Sequence, residues 1–309
     1  MTSHYAQELR TQPSIWRQAA GLAASSSLLL PSHGVRLVVG GCGTSYYVAS
    51  AFAVLREQSG HGETDAVVAA TGTSLREYPA ALALSRSGTT TDVVSWLQGH
   101  NPGTERFAIV GTPHTPVAEL VKEPLLLTFA DEKSIVQTRF ATATLALLRA
   151  SLGEDIAPLA DGAESVLEQG APFPPGRFRQ FIFLGEGFAA ALAEEAALKM
   201  RETAGVWAEG YLASQYLHGP IGAATSSTVV WALGPMDPHT ADRIRQTDAE
   251  LWVTASDPQV ELVRVHLQAE VEAADRGRDI DQPPYLARSV ILTDLERRPF
   301  RDLSAPAQP

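Results

Sequence analysis

The sequence predicts an α/β protein built on parallel sheets, and three observations predict it. Short apolar runs fit buried strands at 36–40 (RLVVG), 80–84 (AALAL), 107–110, 125–129, 179–185 (RQFIFLG), 228–233 and 250–254. Helical patterns alternate with these runs, the order that gives parallel strands covered by helices. The pattern then restarts midway. Residues 179–185 mirror 36–40, each leading through a glycine turn into an Ala-rich helix, which reads as an internal duplication.

The elements follow in order. Residues 2–30 read as helical and end in a turn at Ser25–Ser27. The strand at 36–40 runs into Gly41-Cys42-Gly43-Thr44-Ser45 and a helix over 46–58; alternation resumes at 66–70. The strand at 80–84 runs into Ser85-Arg86-Ser87-Gly88-Thr89-Thr90-Thr91, with a helix from about Asp92. An amphipathic helix covers 135–150. Residues 151–178, with Gly, Pro and acids, read as an interdomain linker. The expected organisation is a first domain over 1–150, the linker, and a second domain over 179–309 whose last residues, 298–309, form a poorly ordered tail.

Composition narrows the function. The 309 residues are 45% hydrophobic and 19% charged, a globular profile. A net charge of −11 disfavours nonspecific nucleic-acid binding, although a small phosphate needs only a local pocket. Cys42 is the single cysteine, so no internal disulfide forms; between glycines it reads as a packing residue. The first residues lack a signal-peptide pattern and no apolar run is long enough for a membrane helix, so the expected location is the cytoplasm. Six histidines (4, 33, 61, 100, 114 and 239) are scattered without ligand spacing, and no metal site is expected.

Two loops suit an anion. SRSGTTTD follows a buried strand and opens a helix, whose first N–H groups and positive dipole end face an incoming charge. Ser85, Ser87 and Thr90 add hydroxyl donors, Arg86 adds charge, and Gly88 permits close backbone approach. Thr44 and Ser45 hold the analogous place after the first strand, and both loops should open on one carboxyl edge. The same hydroxyls also serve a plain helix cap, and the residue pattern allows both readings. No GK[ST] follows, and Gly185-Glu186-Gly187 lacks dinucleotide spacing, so no nucleotide cofactor is expected.

Residues 197–220 add an acid and a base. Glu195, Lys199 and Glu202 fall at i, i+4 and i+7 on one helix face; His218 follows in a loop fixed by Gly219-Pro220. A carboxylate and an imidazole are equipment for proton transfer, and equally an exposed ion-paired helix with a loop histidine.

Together, QELRTQP near the start, GCGTSYY (41–47), LSRSGTTTD (84–92), DEKSIVQTRF (131–140), EEAALKMRE (194–202), AEGYLASQYLHGP (208–220) and DIDQPPYLARSV (279–290) resemble the sugar isomerase (SIS) family. They do so most like the isomerase half of glucosamine-6-phosphate synthase, in collinear order over nearly the whole chain. The resemblance implies two flavodoxin-like SIS domains, each a parallel sheet flanked by helices. It also implies a homodimer with shared active sites, and phosphosugar binding without a cofactor. It implies phosphate contacts for Ser45, Ser85, Ser87 and Thr90, proton transfer between C1 and C2 by Glu202, and ring opening by His218 from the neighbouring subunit. Lys199 and Glu132 match further site residues. Departures stand out: no glutaminase domain, Gln215 and Leu217 for Glu and Lys, and Arg288 for the tail lysine that forms a Schiff base. Trp207 replaces a histidine and is bulky enough to narrow the pocket, and residues 260–278 read as shorter and more polar than the family's apolar helix. The expected activity is deamination or deglycation of an amino-sugar or fructosamine 6-phosphate; a simple isomerase and a non-catalytic phosphosugar-binding regulator are the alternatives.

Overall fold

The computed structural model describes residues 2–25, 29–70 and 76–292. The expected turn at Ser26–Ser27 and the tail at 298–309 lie outside them. Helices α1 (His4–Arg10) and α2 (Gln12–Leu22) precede a five-stranded sheet of β1 (Leu37–Gly41), β2 (Thr64–Val68), β3 (Ala80–Ser85), β4 (Glu105–Val110) and β5 (Leu125–Leu126). Its order is β2-β1-β3-β4-β5 and every pairing is parallel. Helices α3 (Thr44–Gln58), α4 (Thr91–Gln98), the short α5 (Pro116–Glu119) and α6 (Arg139–Ser151) belong to this half. After α7 (Ala157–Gln169) comes a second parallel sheet of β6 (Gln180–Gly185), β7 (Trp207–Leu212), β8 (Thr228–Ala232) and β9 (Glu250–Val253), ordered β7-β6-β8-β9. Its helices are α8 (Phe188–Ala204), α9 (Ala213–Tyr216), α10 (Pro238–Arg245) and α11 (Pro258–Asp275).

The strands form where the apolar runs predict, and the alternation along them sets their faces. Leu82 and Leu84 of β3 join the main core; Ala81 and Ala83 face the outer cluster under α4. The main core is continuous between the sheets, from Val39 through Val48, Phe52, Leu192 and Ala196 to Phe183 and Trp231. The two halves repeat one turn in backbone detail. Gly43 before α3 has φ 54° and ψ −127°, and Gly187 before α8 has φ 55° and ψ −128°, a conformation open to glycine alone.

Four expectations are corrected. The run at 125–129 is a two-residue strand followed by a 3-10 turn at Thr128–Ala130. The span 151–178 carries α7, which packs on α2 and α11. WAEGYL, read as part of a helix and loop, is edge strand β7, where small Ala208 and Gly210 bring α8 close: a Cβ on Gly210 would stand 2.5 Å from the Glu194 backbone. The polar stretch before the tail is the 18-residue α11, buried along most of its length.

Helices α3 and α8 form the seam between the halves. Gly43, at the start of α3, faces Leu198 near the end of α8. Gly187, at the start of α8, faces Gln58 at the end of α3, so the two helices run antiparallel. The carboxyl edge of the first sheet therefore meets the C-terminal half of α8.

Candidate active site

Two hydroxyl-bearing loops stand on that carboxyl edge. β1 delivers Thr44 and Ser45 to the first turn of α3; β3 ends at Ser85 and delivers the loop that opens α4. The Ser85 hydroxyl accepts from the Gly88 N–H at 3.1 Å and the Ser87 hydroxyl from the Thr89 N–H at 3.3 Å, which fixes the loop's curl. Gly88 has φ +65°, and a Cβ there would lie 2.0 Å from the Thr115 hydroxyl, so only glycine fits. Neither α3 nor α4 takes a side-chain N-cap, which removes the plain capping reading for Ser45 and Thr90. The Ser45 side chain makes no hydrogen bond among the described residues. It borders a small space lined by Val48, Leu84, Phe140, Ala141 and Thr144.

Beneath these loops, α8 presents Glu195, Lys199 and Glu202. The face is not the exposed ion-paired surface that the spacing also allowed. The Lys199 and Glu195 side chains are buried at 3.5 Å, and Lys199 donates a hydrogen bond to Glu202. Glu202 is the member that reaches the surface, its side chain 21% exposed. Burial works against the Lys199 charge, but Glu195 and then Glu202 outweigh it and raise its pKa, so the amine stays an ammonium. Burial pushes the Glu195 carboxyl up to about 7; Lys199 pulls it down, Glu202 pushes it up, and the Thr44 side chain lowers it.

Arg86 and Glu132, expected at the substrate, turn toward each other and toward backbone. Arg86 donates to the Ser134 and Ile135 carbonyls at 2.9 and 2.8 Å and lies 3.8 Å from Glu132. Glu132 accepts from the N–H groups of Thr138, Arg139 and Phe140 and from the Thr138 hydroxyl, at 2.6–3.3 Å. It caps α6, and both its oxygens are engaged. The Arg288 guanidinium donates to the Glu132 carbonyl and to Asp131.

Sequence reasoning missed His266 on α11 and Gln137 in the 131–138 loop. His266 is buried; its Nδ1 lies 3.2 Å from Gln12 Nε2, and burial together with Lys199 pushes its pKa down to about 3. Four buried polar atoms without a partner belong to this region: Arg86 Nε, Gln137 Oε1, Glu195 Oε2 and His266 Nε2. Native interiors leave few such atoms, and a cluster of them marks a place where function outranks packing. No sequence signal short of the fold would have brought α11 beside α8.

His218 lies elsewhere. It follows β7 and α9 at the carboxyl end of the second sheet, exposed, with no side-chain hydrogen bond among the described residues. α8 runs back from that edge, so Glu202, 14 residues past Phe188, lies roughly 20 Å from the start of the helix. Trp207 begins β7 and is 66% exposed. Burial pushes the Cys42 thiol up to about 11, and it donates to the Ala69 carbonyl. A cavity of about 750 Å³ at the start of β4 lies away from all these groups.

No protein-family model matches the chain. A glutamine–fructose-6-phosphate aminotransferase (isomerizing) of Bradyrhizobium diazoefficiens is 28% identical over 272 residues, covering 71% of this chain and 45% of that protein. One from Methanothermobacter thermautotrophicus is 24% identical, covering 81% and 50%. The chain thus spans about half the length of these curated relatives. A glucosamine-6-phosphate deaminase from Thermotoga maritima superposes with a TM-score of 0.78 at 21% identity, over 94% of this chain and all of that one. The chain shares the fold of that deaminase. A tagatose-6-phosphate ketose/aldose isomerase of Escherichia coli also superposes, with a TM-score of 0.78 at 17% identity, over 94% and 96% of the two chains. No helix among the described residues is long and apolar enough to cross a membrane.

Proposed function

We propose that the protein acts on a phosphorylated sugar carrying an amine, an amino-sugar 6-phosphate or a fructosamine 6-phosphate, and releases the amine. The observation that carries this is Glu202, a surface-reaching carboxylate held by a buried ammonium beneath two hydroxyl-rich loops. Ser45, Ser85, Ser87 and Thr90 hold the phosphate with the N–H groups at the start of α4 and so fix the carbon skeleton. Glu202 takes the proton from the carbon beside the carbonyl or imine and returns it to the neighbouring carbon. Water then adds to the resulting C=N bond and the amine departs. The substrate's own carbonyl or imine takes up the electron pair, so the chemistry calls for no cofactor. The names of the relatives, an aminotransferase and a deaminase, support an amine-bearing substrate.

His218 opens the sugar ring from a second copy of the chain. That Glu202 lies toward the opposite end of α8 from the sheet edge that carries His218 supports a homodimer in which each site draws on both protomers.

The test is to incubate the purified protein with hexosamine 6-phosphates and fructosamine 6-phosphates and to measure free amine and the sugar left behind, a ketose from the former and an aldose from the latter. Amine release is expected. Isomer without amine would reduce the protein to an aldose–ketose isomerase, and tight binding without either product would make it a regulator. Glu202→Gln should abolish turnover while sugar-phosphate affinity stays within about threefold, since an interaction made only in the transition state is lost; normal turnover would remove Glu202 from the mechanism.

A further inference from the structure

The segment after α11 straps the two halves together. Arg278 donates to the Thr203 carbonyl at 3.2 Å, at the end of α8. Asp281 accepts the His4 and Tyr5 N–H groups, both at 2.8 Å, and its carbonyl accepts from Ile135. The strap then lands on the anion loop. Ser289 meets the Thr89 hydroxyl at 2.9 Å and that of Thr90 at 3.4 Å, the Val290 carbonyl accepts from the Thr91 N–H at 3.1 Å, and the Leu292 N–H donates to the Thr91 hydroxyl at 2.9 Å. Residues 284–287 between these anchors are exposed.

Arg288 ends that exposed stretch. Its guanidinium reaches the Asp131 carboxylate and the Glu132 carbonyl together, with the Thr112 hydroxyl at 3.5 Å. A planar fork suits such paired acceptors, which a single ammonium would have to serve in turn. A guanidinium also stays protonated and offers no free amine to a carbonyl. Asp131 belongs to the segment whose next residue, Glu132, caps α6 and faces Arg86 of the anion loop. Both ends of the contact therefore lead back to the phosphate-binding edge.

We propose that Arg288 is a positioning residue, a latch that holds the strap on Asp131 and Glu132 so that Ser289 and Val290 fix Thr89, Thr90 and Thr91 for the phosphate. It assigns Arg288 to loop control. The proposal rests on the anion-loop reading above, but its first readout needs no substrate.

In hydrogen–deuterium exchange on the full chain, Arg288→Ala should speed exchange at 89–91 and 288–292 by about tenfold or more while α2 and α11 keep their protection. Asp131→Asn should do the same, and Arg288→Lys should fall between. Inorganic phosphate should bind about tenfold more weakly to Arg288→Ala, and KM for the sugar phosphate should rise by a similar factor with kcat within about threefold. Unchanged exchange in Arg288→Ala and Asp131→Asn would overturn the latch. So would a fall in kcat at constant KM, which would place Arg288 on the reacting sugar. Faster exchange in a protein that releases no amine would leave the latch standing and count against the proposed reaction alone.

Discussion

His266 lies fully buried beside the Lys199 ammonium, and both burial and that charge oppose its protonation. Its pKa falls from the ordinary 6.5 to about 3. Between those values the unfolded chain takes up a proton that the folded chain refuses. The stability it contributes is complete above pH 6.5 and is lost as pH falls toward 3. Glu195, raised to about 7, runs the other way: the folded chain holds its proton longer, so its share of stability falls as pH rises from about 4.5 to 7. Comparing His266→Asn with the parent isolates the histidine, because Glu195 is common to both. The variant should lose roughly 2–3 kcal/mol less than the parent between pH 6.5 and 4.5, at about 1.36 kcal/mol per pH unit. Parallel stability curves from urea unfolding over that range would show that His266 takes its proton normally.

At the scale of elements, Glu132 governs α6. Its carboxylate satisfies three N–H groups at the head of that helix and one hydroxyl, and it neutralises Arg86. Removing one partner of a buried charge pair leaves the other stranded, so Glu132→Ala should cost about 3–5 kcal/mol in chemical denaturation; a loss near zero would mean that water replaces the cap. Nothing in DEKSIVQTRF distinguishes that cap from a substrate ligand, because capping depends on where α6 begins. Strands such as AALAL were legible because a buried parallel strand is apolar on both faces. β7 was not, because an edge strand with Glu209 and Gly210 looks like a loop. α7 and α11 were hidden for a related reason. Buried polar side chains on α11 are paired across elements, Glu261 with the Trp231 indole and Gln268 with the Phe173 N–H, and those partners lie 30 and 95 residues away in the chain. The two hydroxyl-bearing loops were legible as strand-to-helix turns because strand, glycine, hydroxyls and helix are all local. The burial of Lys199 was not, since it depends on α3 and α11 closing over α8.

For the whole molecule, the antiparallel seam of α3 and α8 decides where chemistry can occur. It sets the loops of the first half over the C-terminal end of α8 and sends His218 to the far edge of the second half. Under the proposed reaction, one protomer offers the phosphate cradle and Glu202, and a second offers the imidazole. Subunit complementation tests this most directly. Glu202→Gln and His218→Ala proteins, each inactive alone, are unfolded together, refolded and assayed for amine release. Random pairing makes half the dimers mixed, and one of the two sites in each mixed dimer is intact, so activity should return to about a quarter of the parent value. Mixed dimers that form and stay inactive would contradict a site shared between Glu202 and His218.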